Sequence, residues 1–408
     1  MKTKGFPREF YVLILVEACL FMARETYQPI FTLYLTGRGA SAVQIGAIVS
    51  ILSISTILAR FVLGPLSDRV GAGWFLLLGL LGQPLIFLLY AFAPEVSWFY
   101  LIQILSALSV ALFSPLVMSL FMRIAPPNRR GDALGRSLTA AGLSMLLGPL
   151  LSSVLLEFFH LSYDRIFLVA IAPVMIGLTA FLTFIARTPF GGELFNSGSR
   201  DERSSTSKAL SFVKDLGGIF KTGNVAALSV SRVAFAFTVA FFRTLLPLYV
   251  VNDLNLSPAF VPTLFTVYGL LNTFTRLPSG RLSDRVGRKR PLLFSILLMA
   301  VINLGFSLGR EYTAIGLLAA LYGACHGVRA VSEWAFLGDS VPSRLRSLAN
   351  SYFANIFDIG TALGSLVGGI LASLMPIPTV FQIASVIMFL NATITGLMAR
   401  ADSEHKTG

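Results

Sequence analysis

Charge is what this sequence has least of. Only 13% of its 408 residues are Asp, Glu, Lys or Arg, where a soluble domain carries about 25%. Hydrophobic side chains make up 55% and the mean hydropathy is +0.76, so the chain cannot dress a water-facing surface and belongs in a bilayer. Cysteine is nearly absent. Cys19 and Cys325 each sit inside an apolar run, which excludes a disulfide framework and a CxxC metal site. Histidine is limited to His160, His326 and His405, no Cys pairs with a distant His by motif, and no Walker sequence occurs. Metal-assisted, thiol-based and ATP-driven chemistry therefore lack their residues, and neither a catalytic role nor a cofactor is expected. The excess of 12 positive charges forms no basic stripe with interleaved aromatics, so nucleic acid is not an expected partner.

What is present is a series of long apolar runs. A helix needs about 20 mostly apolar residues to cross a bilayer, and twelve such segments begin near Phe10, Val43, Trp74, Val96, Arg136, Asp164, Asn224, Ala259, Pro291, Tyr312, Ser347 and Pro378. The first, Phe10 to Tyr34, is too long for a signal-peptide core and lacks a cleavage site, so it reads as a retained helix. Lys2, Lys4, Arg8, Arg69, Arg123, Arg129, Arg130, Arg136, Arg281, Arg285, Arg288, Lys289, Arg290, Arg344 and Arg346 fall in loops on one side, against Arg38, Arg165 and Arg310 on the other. The excess of basic residues inside places both termini in the cytoplasm of a multi-pass cell-membrane protein. The longest connection contains "NSGSRDERSSTSK", a Ser-rich linker. The expected organisation is an N-terminal six-helix bundle (residues 1–187), a cytoplasmic linker (188–223) and a C-terminal six-helix bundle (224–408), all α-helical. Leu210 to Phe220 has the spacing of an interfacial helix.

The two bundles are copies of one design. "LSDRVG" occurs at Leu66–Gly71 and again at Leu282–Gly287, 216 residues later. The same offset aligns Ser41 with Ser257, Arg60 with Arg276, Gly64 with Gly280, Arg130 with Arg346 and Gly148 with Gly364. Parallel six-helix repeats with a site at the midplane are how alternating-access carriers are built.

At these residues the chain resembles the major facilitator superfamily over essentially its whole length, closest in motifs to the twelve-helix drug/proton antiporters. The loop signature G-x-L-x-D-R-x-G-R-K/R is complete in "GRLSDRVGRKR" from Gly280, while "GPLSDRVGAGW" from Gly64 lacks the final basic cluster. The resemblance implies conformational locks built from Gly64, Asp68, Arg69 and Gly71 in the first copy, and from Gly280, Asp284, Arg285, Gly287 and Arg288 in the second. It implies that Asp68 meets the start of the eleventh span and Asp284 that of the fifth. "GLSMLLGPLLSS" from Gly142 resembles the fifth-span signature of antiporters, and "GTALGSLVGG" from Gly360 mirrors it. Gly142, Gly148, Pro149, Gly360, Gly364 and Gly368 are read as helix-packing positions, because small residues four apart let backbones approach. The fourth-span Arg that many antiporters carry is missing; "QILSA" from Gln103 stands there.

Ionisable groups within spans cost about 2.5 to 3.5 kcal/mol each on insertion scales and mark pathways. On the first span Glu17, Arg24 and Gln28 share a face, with Glu25 pointing about 100° away. On the tenth, Tyr322, His326, Arg329 and Glu333 form one stripe, and on the eleventh Ser351, Asn355 and Asp358 form another; the seventh carries Arg232 and Arg243. Glu17 with Arg24, or Arg329 with Glu333, would also serve as plain structural ion pairs. Arg60 and Arg276 read as snorkelling or gate residues near the boundary. If the striped spans line a central cavity, as the resemblance implies, Glu17, Glu25, Glu333 and Asp358 are candidate proton carriers. Arg24 and Arg243 are candidates for an anion clamp.

The expected function is secondary transport by alternating access, proton-coupled and exporting small organic or amphipathic, drug-like solutes. An organic-anion carrier using Arg24 and Arg243 is the alternative, and a membrane solute sensor is the rival from another class. The expected partners are a small-molecule solute, protons and the lipid bilayer, with the chain acting as a monomer and no metal bound.

Overall fold

In the computed structural model the described residues are 6–126, 129–185, 188, 192, 194–195, 223–342 and 345–399, without the side chains at 64, 65, 68–70, 112, 114, 115, 119, 122, 130, 131, 134 and 347. They are helical throughout the spans, because a chain in hydrocarbon must satisfy its own N–H and C=O groups. In chain order the spans are α1 (Arg8–Tyr27), α2 (Ala42–Val70), α3 (Ala72–Phe92), α4 (Trp98–Ile124), α5 (Arg130–Glu157), α6 (Tyr163–Phe184), α7 (Gly223–Leu248), α8 (Phe260–Val286), α9 (Lys289–Leu308), α10 (Tyr312–Ser340), α11 (Arg346–Leu374) and α12 (Ile377–Met398). The first span is broken where Pro29 removes a backbone donor: a 3-10 turn, Gln28–Ile30, joins α1 to a continuing helical piece, Phe31–Gly37. At the end of α7 the helix widens into a π turn, Tyr249–Asp253.

Among the described residues ten helices, all but α1 and α8, are by themselves long and apolar enough to cross a membrane. Composition explains the other two. Arg8, Glu9, Glu17, Arg24 and Glu25 interrupt α1, and Asn272, Thr273, Thr275 and Arg276 interrupt α8.

The chain divides into two compact units. The first comprises Met1–Ala40, Ile51–Arg200 and Ser257–Thr266; the second comprises Ser41–Ser50, Asp201–Leu256 and Val267–Gly408. Within the first, α1 packs on α5 and α6, and α3 on α4 and α6. Within the second, α7 packs on α11 and α12, and α9 on α10 and α12. A shift of six helices turns one pattern into the other, so the duplication seen in the sequence is a duplication of packing.

Each unit has its own apolar filling. In the first, Tyr27, Phe31, Tyr90, Phe99 and Phe167 form a connected ring cluster with centroids 5.2–6.5 Å apart, in the range where edge and offset contacts are favourable. In the second, Phe242, Phe306, Tyr322 and Phe381 do the same at 4.7–5.8 Å, and the Lys289 ammonium at the start of α9 donates to the carbonyls of Gly396 at 2.8 Å and Ala399 at 2.5 Å. It thereby satisfies acceptors that the last turn of α12 leaves open.

Candidate functional site

The polar stripe of α10 is placed by two glycines. A Cβ at Gly323 or Gly327 would run into the backbone of Tyr268 or of Asn272 on α8, so these two positions let α10 lie directly on α8. His326, between them, therefore reaches the Tyr268 hydroxyl and hydrogen bonds to it through Nδ1. Its ring sits 4.8 Å from that of Phe235 on α7, and Tyr322 stacks on Phe242 at 4.7 Å.

One turn further along α10 the stripe becomes ionic. Glu333, fully buried, accepts from Arg329 Nη1 at 2.6 Å and from Arg232 Nη1 of α7 at 2.5 Å. Aromatic rings wall this triad. The Arg329 guanidinium lies 3.4 Å over the ring of Phe235, and that of Arg232 lies 4.8–5.8 Å from the rings of Phe357, Trp334 and Phe353. Two cations share one carboxylate in a low-dielectric surround. The arrangement has donors to spare: Arg329 Nε and Nη2 and Arg232 Nε are buried without a hydrogen-bond partner. Arg276, read from sequence as a boundary residue, instead turns along α8, where its Nη2 donates to Asn272 at 2.9 Å and its buried Nε is also unpartnered.

The first unit treats its acid differently. Glu17, 8% exposed, accepts a 2.7 Å hydrogen bond from Ser137 of α5, and no ion pair to it is formed among the described residues. The Glu17–Arg24 pair is not made: seven residues along a helix is about 10 Å, and Glu17 turns to α5 instead. The approach of α5 is set by small residues. Ser144 donates to the Ala18 carbonyl at 2.9 Å, and a Cβ at Gly148 would stand 2.7 Å from that of Glu25. In the second unit Gly360, Gly364 and Gly368 of α11 meet Ala236, Phe237 and Phe241 of α7 in the same way. Pro149 is accommodated inside α5 without ending it.

The repeated hexamers are helical, where loop turns were expected. Leu66–Val70 closes α2 and Leu282–Val286 closes α8; Gly71 and Gly287 then take φ values of +112° and +85°, which β-carbon-bearing residues rarely adopt. Asp284 pairs within its own unit, with Arg288, whose Nε also donates to Asp339 of α10 at 2.9 Å. The side chains of Gly64, Asp68 and Arg69 lie outside the described residues, as does the whole Leu210–Phe220 segment.

Arg24, Glu25 and Gln28 lie half-buried on the first span, Arg24 in the first unit and Arg243 in the second. Asn355 and Asp358 are half-buried on α11. The structure thus joins Tyr322, His326, Arg329 and Glu333 into one site, and adds Arg232, Tyr268 and Phe235. Arg232 was visible as a charge on the seventh span, but nothing in its spacing identified a partner 101 residues away. Ser137 carried no signal at all, since a serine in a span is ordinary.

The family model described as Major Facilitator Superfamily matches residues 13–242 and again 228–408. The multidrug resistance protein MdtG of Enterobacter lignolyticus is 26% identical over 375 residues, covering 90% of this chain and 85% of that protein. MdtG of Proteus mirabilis is 26% identical over 352 residues, covering 85% and 83%. Among solved structures, a POT family transporter in complex with 5-aminolevulinic acid is 13% identical and superposes with a TM-score of 0.78 over 97% of both chains. A bacterial homologue of the human lysosomal transporter Spinster, inward-facing and unoccupied, is 14% identical with a TM-score of 0.71 over 96% of this chain and 94% of the other. At those identities the likeness is one of fold.

Proposed function

Because this chain belongs to the major facilitator superfamily, and is thus a membrane transporter of small solutes and not an enzyme, we propose that it is a proton-driven exporter of amphipathic, drug-like solutes in which Glu17 carries the proton. The observation that carries the proposal is the setting of Glu17, a carboxyl buried in the first span whose described partner is the Ser137 hydroxyl alone. A hydroxyl accommodates a carboxyl with or without its proton, and a small change in surroundings then decides which form is held. Glu333 is instead held between two guanidiniums. The names of the MdtG relatives support a multidrug cargo. The basic loops support a cell-membrane protein with cytoplasmic termini, acting as a monomer. In this reading the two "LSDRVG" copies are the locks that hold one access state.

Proteoliposomes loaded on an imposed pH gradient, and screened with cationic, neutral and anionic amphiphiles, test the proposal. Gradient-driven flux is expected for the wild type and absent in Glu17→Gln, which retains solute exchange at equal pH. Gradient-driven flux that survives Glu17→Gln sinks the assignment.

A further inference from the structure

The donors left over around Glu333 have a geometry that names a ligand. Arg329 gives Glu333 only Nη1; its Nε and Nη2, the pair of N–H groups that forms the side-on edge of a guanidinium, are buried and unpartnered. That edge is the one that receives a carboxylate through two parallel hydrogen bonds. Arg232 likewise spends Nη1 on Glu333 and keeps a buried Nε unused. A third buried Nε belongs to Arg276. Arg329 and Arg232 meet on Glu333, and Arg276 bonds to Asn272, whose carbonyl lies against Gly327 of α10, so the three gather about one part of the second unit.

We propose that this arginine cluster is a binding site for an oxyanion, presented by the transported solute as an acidic group, with Glu333 as the resident carboxylate that competes for the same guanidiniums. The inference rests on the export reading and sharpens its cargo to amphiphiles bearing a carboxylate or similar group. Charge and packing agree with it. Two guanidiniums and one carboxylate leave the triad one negative charge short of balance, and buried charges are held where they are paired. The rings of Phe235, Trp334, Phe353 and Phe357 around the cations supply an apolar wall for the rest of an amphiphile. When the solute leaves, Glu333 holds the pair together, so the site is neither empty of countercharge nor saturated.

Trp334, with Arg232 5.0 Å from its ring, is a built-in reporter once the other two tryptophans, Trp74 and Trp98, are changed to Phe. The folded variant in detergent at constant pH is titrated with 4-phenylbutyrate, 4-phenylbutanol and 4-phenylbutylamine, which share one apolar body. The acid is expected to shift Trp334 emission at a concentration at least about tenfold below that of the alcohol, and the amine to have no effect. Sodium sulfate at matched ionic strength is the arm for a free inorganic anion. Displacement of the acid only at much higher sulfate concentration assigns the site to the solute's own group; saturation by sulfate at lower concentration than the acid assigns it to a free ion instead, and overturns the cargo inference.

Two variants place the binding. Arg232→Gln is expected to abolish the preference for the acid, and Glu333→Gln, which removes the competitor, to tighten the acid severalfold. Equal affinity for acid and alcohol in the Trp334-only protein overturns the proposal without any change in the cluster. Retained preference in folded Arg232→Gln overturns its location. The titration uses no pH gradient, so its failure leaves proton-driven export standing. Flux that fails while the titration succeeds removes the export reading alone.

Discussion

Glu17 and Glu333 are both glutamates buried in membrane helices, 8% and 0% exposed, and they could hardly be used more differently. Glu17 has a hydroxyl for company; Glu333 has two guanidiniums. The units that hold them share one packing scheme, α1 on α5 and α6 in the first, α7 on α11 and α12 in the second. The duplication thus preserved how helices meet and released what they carry between them. A carboxyl without a cation is suited to gaining and losing a proton, and one between cations ties two helices together.

The largest separation between the two sites is expected in transport. Glu17→Gln should lower gradient-driven flux about a hundredfold or more, to the level of empty vesicles, while leaving binding of solute to the purified protein near wild type; the size follows from losing an obligatory protonation step. Stability comes next. Glu333→Ala leaves Arg232 and Arg329 buried without their counter-ion, which costs about 3–5 kcal/mol. Thermal unfolding in detergent should show it, whereas Glu17→Ala, which breaks no ion pair among the described residues, should move the midpoint much less. Comparable losses from the two would mean that the two carboxyls are held alike.

A smaller effect probes the shared scaffold. Gly148 and Gly364 align in the repeat and both hold a helix at backbone contact. Gly364→Ala, which drives a methyl into the Phe237 carbonyl, should destabilise by about 1–3 kcal/mol. Gly148→Ala, against the Glu25 backbone and Cβ, should cost a similar amount. A cost in only one unit would mean that the two packings are less alike than their helix order.

The smallest expected effect lies at the mouths of α5 and α11. Asp132 accepts from Arg129 at 2.7 Å and from Arg136 at 2.9 Å, and these bonds, Arg129 first, hold its carboxyl below its usual range. The aligned position in α11 is Leu348. A lowered acid stabilises at any pH above its unfolded value near 4, and the contribution fades as pH falls through the lower folded value. Amide exchange in the first turn of α5 should therefore speed up below about pH 4, or in Asp132→Asn at neutral pH. The first turn of α11 should show no such step. High salt should shrink the difference, since Asp132 is exposed.

Most of the architecture was legible because it depends on quantities that sequence displays directly: run length and a 216-residue echo. The face on which each polar residue lies was legible too, as the stripe Tyr322, His326, Arg329, Glu333 shows. What a helical face cannot tell is which neighbour it meets. The spacing left a pairing of Glu17 with Arg24 in its own helix open, and in the fold Glu17 turns to Ser137, 120 residues away. The partners of Arg232 and Arg276 were hidden for the same reason. The positions that bring those neighbours together, Gly323 and Gly327, declare themselves only once a facing backbone is in place. The hexamer was misassigned to loops because Asp and Arg suit a turn as well as a helix end; the stop comes one residue later, at Gly71 and Gly287.

Lys289 ties the first residue of α9 to the last carbonyls of α12, and this bears on biosynthesis. The acceptors, Gly396 and Ala399, lie about 110 residues downstream of the ammonium, so α9 enters the membrane with a bare cation at its end. That cation lacks these two acceptors until α12 is delivered. The seam between α9 and α12 therefore closes only after residues 396–399 have been made. A nascent chain released short of residue 399 would carry an open seam at α9, the kind of feature by which a quality-control protease tells an unfinished carrier from a finished one.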